Sequence, residues 1–204
     1  MTAVTEFCDV IRGWLNLGPD VYPDGVVTSW VRMAETDLSK DLRCKEMIQI
    51  DISVLRVNRC TLPNDWRELI GVRVVGGKPL RYTPYDDFYN PSKEWVDDLP
   101  NVYTISGNYV MVGGANPNGV EVEITYYQDI PPLNESYNWV TAKYPTLITL
   151  KTLHIASMYA IEDERGPMWE SQIGKMIGSI NSEHSHSKAS GSALTIRHRK
   201  RGFG

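Results

Sequence analysis

The stretch Ile48-Gln49-Ile50-Asp51-Ile52-Ser53-Val54 decides the fold. Its apolar residues recur at every second position, the side-chain period of a β-strand rather than of a helix. The alternation predicts one dry face, made of Ile48, Ile50, Ile52 and Val54, and one wet face, made of Gln49, Asp51 and Ser53. At Leu55 the phase slips by one residue, the mark of a bulge or of a change of partner strand.

Upstream of that strand the period is helical. Val4, Phe7, Ile11 and Trp14, with Leu15 beside them, mark a helix over residues 2–17 that stops at Gly18-Pro19. In residues 24–43 Asp24 stands at a capping position, and Val27, Trp30, Val31, Ala34 and Leu38 form the buried stripe. The intervening turn GPDVYPDG makes the two helices an antiparallel pair.

Downstream, strands are predicted over residues 68–75, 79–83, 101–106, 108–112 and 119–127, with GGK, SGN and GGANPNG as hairpin-type turns. After Pro131-Pro132 the helical period returns in Leu147, Leu150, His154, Met158 and Ile161, widened by Ile148, Ile155 and Tyr159. Residues 167–181 add Trp169, Ile173, Met176, Ile177 and Ile180 against polar Glu170, Gln172 and Lys175. The expected fold class is α+β, with helices segregated from an antiparallel sheet. Residues 1–44 and 134–181 are expected to form a helical bundle from the two terminal helix pairs. Residues 45–133 are expected to form a central antiparallel β-sheet domain, and residues 182–204 a flexible linker and extended basic C-terminal arm.

Composition narrows the class of function. The 204 residues are 42% hydrophobic and 23% charged, the profile of an ordinary globular chain. Three cysteines, Cys8, Cys44 and Cys60, fit buried free thiols in a reducing compartment better than a disulfide framework. No run approaches the roughly 20 apolar residues of a membrane span, and Glu6, Asp9 and Arg12 interrupt what a signal peptide needs, so membrane and secretory roles are not expected. The net charge of −4 hides an asymmetry: the five basic residues from Lys188 onward face no acidic ones, and the remainder holds 16 basic against 25 acidic residues. A body this acidic is poorly suited to gripping phosphates over its general surface.

Motifs for catalysis are missing: there is no phosphate loop, GxGxxG, GxSxG, HExxH or CxxC. No catalytic residue, metal or cofactor is expected, and the chain is not expected to be an enzyme. His184 and His186 lie in a Ser-rich segment without a third ligand, which reads as a solvated linker. His154 on its apolar stripe reads as a hydrogen-bonded core or interface histidine. Asp86-Asp87 and Asp97-Asp98 occupy turn-like sequence and read as solvated loops. Trp169, Ile173, Met176 and Ile177 form a core or oligomer face, next to a GxxxG step at Gly174 and Gly178. Tyr82, Tyr85, Phe88, Tyr89 and Trp95 read as an interface loop, with a sugar-binding platform as the alternative.

The segments LPNDWREL (62–69), GKPLRYTPYDDF (77–88), VEITYYQDIPPL (122–133) and NWVTAKYPTLITLKTLHIASMYAIEDE (138–164), in that order, resemble the head-to-tail adaptor proteins of tailed bacteriophages, related to tail tubular protein A of short-tailed phages. The places that carry the likeness are Tyr126, Tyr127, Ile130, Pro131, Leu133, Asn138, Trp139, Tyr144, Pro145, Ala156, Tyr159, Glu162, Asp163 and Glu164. Thr149, Lys151, Thr152 and His154 depart from an otherwise Ala- and Leu-rich helix. The resemblance implies a virion protein of the head-tail junction, made in the host cytoplasm. It would form a ring of twelve subunits under the portal protein, with tail or nozzle proteins below and DNA passing through without sequence recognition. A glycan-binding or glycan-cleaving tail component is the rival reading, motivated by the aromatic loop and the paired aspartates. Within the arm, Leu194, Thr195 and Ile196 form a strand-prone stretch. Arg197, His198, Arg199, Lys200, Arg201 and Phe203 supply charge and an anchor for a partner.

Overall fold

The computed structural model describes residues 2–16, 18–89, 100–114, 118–159 and 164–190. The fold is mixed α+β, with the order α1 (Ala3–Leu15), α2 (Asp24–Asp41), β1 (Ile48–Val54), β2 (Arg59–Thr61), β3 (Trp66–Val74), β4 (Arg81–Tyr82), α3 (Tyr85–Phe88), β5 (Val102–Ser106), β6 (Tyr109–Gly113), β7 (Glu121–Gln128), α4 (Trp139–Lys143), α5 (Pro145–Tyr159) and α6 (Gly166–Ser190).

Helix α1 starts at Thr2, whose hydroxyl accepts from the Thr5 N–H, and stops at Asn16, which sits in the left-handed region at φ 55°. The stop precedes Gly18-Pro19 because Asn tolerates that conformation and its N–H closes on the Arg12 and Gly13 carbonyls. Phe7, Ile11 and Leu15 are buried as expected, but Trp14 is exposed because it lies beyond the edge of the stripe that meets α2. The N-cap of α2 is Pro23 rather than Asp24. Asp24, in the first turn, pairs instead with Arg12 of α1, which also holds Asp9 at 2.9 Å and donates to the Tyr22 carbonyl at 2.9 Å. Buried Arg12 is thus the clamp between the two helices.

The β residues form two sheets, where the sequence reading expected one. Sheet 1 has the order β1-β7-β3 and is antiparallel throughout; sheet 2 has the order β2-β6-β5-β4, with β4 parallel to β5. The phase slip at Leu55 is the crossing point between them. Leu55 is buried, and the chain then turns through Val57 and Asn58, both at positive φ, with Arg56 and Arg59 exchanging backbone hydrogen bonds. This two-residue turn delivers β2 to sheet 2. GGK does turn the chain back on β3, with Arg73 bridging Pro79 and the Leu80 N–H donating to the Val72 carbonyl at 2.8 Å, before the chain continues into β4 of sheet 2. SGN does join β5 to β6, with Gly107 at φ 58°.

Two apolar clusters result. One gathers Phe7, Ile11, Trp30, Leu38, Leu147, Leu153 and Trp169 from the long helices, with Leu133 from the connector after β7. The other lies between the sheets and gathers Leu55, Leu62, Val72, Val110, Val112, Ile124 and Tyr126. Strand β7 serves both: Tyr126 points into the inter-sheet cluster and its neighbour Tyr127 into the helical one, as the two-residue period of a strand requires.

The predicted dry face of β1 is mostly wet. Ile48 packs against the helical cluster, but Ile50 is 60% and Ile52 58% exposed, and Val54 is exposed as well. β1 is an edge strand, and it is the Asp51 and Ser53 side that faces inward, with the Ser53 hydroxyl donating to Asp51 at 2.8 Å. The linker expected from residue 182 is helical through Ser190. The first turns of that stretch are held by His184 beside Tyr127 and by Ser182 and Ser185 hydroxyls donating back to carbonyls three residues earlier. Residues 191–204, with Leu194 to Phe203, lie outside the described residues.

Candidate interaction surfaces

The segment that carries the family likeness, Ile130 to Asn138, turns out to be a structural joint centred on Glu35 of α2. Glu35 is 3% exposed. Its Oε1 accepts from the Leu133 N–H and from Asn138 Nδ2, both at 2.7 Å, and its Oε2 accepts from Arg32 at 3.0 Å. Burial pushes the Glu35 carboxyl up from its usual range, against the opposing pull of the Leu133 N–H and Arg32. One turn later the Ser39 hydroxyl accepts from the Ile130 N–H at 2.9 Å. Asn138 completes the joint: its Oδ1 caps α4 by accepting from the Thr141 N–H, and its Nδ2 also donates to the Pro131 carbonyl.

The far side of the segment holds α1. The Asn134 and Glu135 carbonyls accept the Val4 and Ala3 N–H groups, donors that no helix can satisfy internally, and the Tyr137 hydroxyl donates to Glu6 at 2.8 Å. Glu35 escaped the sequence reading although its position was a signal. It sits on the α2 stripe directly after Ala34 and four residues from Val31, where a carboxylate must find partners.

Trp169 and Ile173 are buried in the helical cluster of the chain itself, and Met176 and Ile177 pack on its margin, so this face is core. Arg165 covers the Trp169 ring at 4.9 Å. Gly174 and Gly178 face open space. Of the aromatic loop, Tyr82, Tyr85 and Tyr89 are exposed, while Phe88 closes on Gly113, where an added Cβ would meet its ring at 3.1 Å. The Tyr85 and Tyr89 rings lie 4.9 Å apart with planes tilted 51°, and Tyr89 Oη reaches Met111 Sδ at 3.0 Å. Trp95, Asp97 and Asp98 lie outside the described residues; Asp86 is exposed on the single turn α3.

His154 was expected to be hydrogen-bonded. Its ring is half-buried, Nδ1 has no hydrogen-bond partner among the described residues, and the Ser157 hydroxyl donates to the His154 carbonyl at 2.7 Å. His184 is likewise no part of a solvated linker: its Nε2 lies 3.3 Å from the Tyr127 hydroxyl. The side chain of His186 lies outside the described residues. Among the described residues no group of three His, Cys, Asp or Glu side chains is placed to hold a metal ion, and no helix is long and apolar enough to cross a membrane.

Among the exposed apolar side chains are Ile50, Ile52 and Val54 on β1, Val57 at the turn tip, 78% exposed, and the three tyrosines around α3. Such patches mark contact with other macromolecules. No curated protein matches the chain. A family model described as SU10 adaptor protein matches residues 2–197, from α1 through the last described helix and beyond, and the chain therefore belongs to the SU10 adaptor protein family, a family of phage adaptors.

Proposed function

We propose that the protein is a non-enzymatic, ring-forming head-to-tail adaptor that joins the portal to the tail and surrounds the path of the DNA. The observation that carries this reading is the family match over residues 2–197. Two features support it. The chain before Lys188 holds 16 basic against 25 acidic residues, a balance that lets DNA slide past without phosphate contacts. The exposed apolar groups sit at the periphery of both sheets, where neighbours would meet them. In this reading the tyrosines around α3 anchor one contact, and the basic residues Arg197 to Arg201 reach an acidic surface on a neighbouring copy or the portal. A twelve-fold ring and kinship with tail tubular protein A belong to the same proposal.

The glycan reading loses ground on geometry. A sugar ring stacks on a flat aromatic face, whereas Tyr85 and Tyr89 pack on each other at 51°. Light scattering after size exclusion, on the protein alone and mixed with portal, tests the assignment, with images of the resulting particles. Closed rings on the portal are expected. A protein that stays monomeric in both conditions and binds polysaccharide would overturn it.

A further inference from the structure

Strands β1 and β2 leave one turn for different sheets, and their edges face each other across a gap. Arg56 and Arg59 exchange both backbone hydrogen bonds, at 2.9 and 3.1 Å, so the next bonded pair of that ladder would be Val54 with Thr61. No such pair forms, because β1 bonds to β7 and β2 to β6. The Leu55 N–H donates to the Val120 carbonyl and the Leu62 N–H to the Asn108 carbonyl, which sets the alternation on each strand. Ile50, Ile52 and Val54 therefore turn their backbone groups away from β7, and Thr61 turns its own away from β6, toward the same gap. Natural edge strands carry Lys, Pro or a bulge to prevent pairing, and β1, with the sequence IQIDISV, carries neither Lys nor Pro.

The side chains around the gap give it a definite chemistry. Ile52, Val54, Arg56, Arg59, Thr61 and Tyr109 line one groove, and all six are exposed. The Arg59 guanidinium lies over the Tyr109 ring, 4.8 Å from its centroid. Arg12, Arg32, Arg43, Arg67 and Arg73 each hold a carboxylate, whereas no carboxylate of the described residues pairs with Arg56 or Arg59. On β7 the neighbours of Ile52 and Val54 are Glu123, which Arg73 holds at 2.7 Å, and Glu121, on the far side of β1 from the gap. Asp51 lies on the inward side of β1 with Ser53. The groove is thus apolar along β1 and cationic toward the turn.

We propose that this groove docks an extended acidic segment of a partner protein. The segment adds as a strand along β1, sets apolar side chains on Ile50 and Ile52, and carries carboxylates further along the same face to Arg56 and Arg59. The open backbone groups of β1 supply what any added strand needs, and the two-residue period places alternate side chains of that strand on the Ile50 and Ile52 face. The arginines then select the partner, because a planar guanidinium pairs with a carboxylate through two parallel hydrogen bonds. A basic segment, including the chain's own Arg197 to Arg201, meets like charge there. The inference stands apart from the ring reading, since one chain supplies every residue of the groove.

NMR titration of the isotope-labelled full chain tests it. The probes are the capped peptide Val-Thr-Val-Thr-Glu-Thr-Glu, its reversed sequence, so that both strand directions are offered, and the same two peptides with Lys in place of Glu. One acidic peptide is expected to shift the amides of Ile50 to Val54 and of Thr61 and to saturate below about 10 mM, with the Lys peptides at least tenfold weaker. Arg56→Glu combined with Arg59→Glu, two exposed positions without an ion pair to lose, is expected to reverse that order. Val54→Pro keeps both arginines and removes an N–H that makes no ladder bond, so it is expected to abolish binding while the α2 and α5 amides stay in place. Absence of shifts at β1 with every peptide overturns the proposal, and so do equal shifts with acidic and basic peptides. A dimer of the full chain in light scattering that Val54→Pro abolishes also overturns it, because a second copy would then be the occupant. Either failure leaves ring formation on the portal to its own test, and absence of rings leaves the peptide result untouched.

Discussion

Glu35 concentrates the energetics of the joint in one carboxylate. Glu35→Ala strands the Leu133 N–H and the Asn138 amide in a dry site, and a loss of about 3 kcal/mol or more is expected in urea unfolding. Glu35→Gln keeps an oxygen for both donors and should stay within about 1 kcal/mol of the parent, since it also removes a buried charge. The pH dependence has a definite sign. Burial raises the folded-state pKa of Glu35, so the native state holds its proton more tightly than the unfolded chain does. The stability owed to that proton is complete below the unfolded value and lost as pH rises through the folded one. The parent should therefore lose stability relative to Glu35→Gln as pH rises above about 4, read as a shift in urea midpoint. The cysteines give a second expectation at this scale. Burial pushes the Cys44 and Cys60 thiols up to about 11 and raises Cys8, and all three are free and buried. Iodoacetamide at about pH 8 should leave the native protein unmodified and alkylate all three once it is denatured.

Elements divide by how they meet their neighbours. α6 buries Trp169, and Trp169→Ala should cost about 3–5 kcal/mol by chemical denaturation, with the helical cluster rather than an assembly contact as the cause. The turn between β1 and β2 behaves oppositely. Val57 is a β-branched residue at φ 51° with its side chain in water, so Val57→Asn removes strain and gives up no burial. A gain of about 1 kcal/mol is expected, read as a rise in the melting temperature of the isolated subunit. The long helices and most strands were legible in the sequence because a stripe such as Val27, Trp30, Val31, Ala34 and Leu38 fixes both period and face. The face of β1 was not legible, because alternation says which residues share a side without saying which side meets the core. The second sheet was missed because β2 is only three residues long, too short to show a period, and because no local pattern says which of the other predicted strands share a sheet. The joint at Glu35 needed two segments about a hundred positions apart, which no local pattern records.

At the scale of the whole molecule the two clusters share β7, so neither can be exposed without disturbing the other. Calorimetry of the subunit should show one transition with equal calorimetric and van't Hoff enthalpies; two resolved peaks would mean that helices and sheets melt separately. The adjacent rings of Tyr126 and Tyr127, driven into opposite clusters from one strand, also work as a rivet. Torque applied to the sheets is passed to the helices instead of being taken up by a hinge. A chain fastened in this way is a stiff body. In the ring proposed above, the compliance that opens or seals the bore would then reside in the seams between subunits and not inside any one of them.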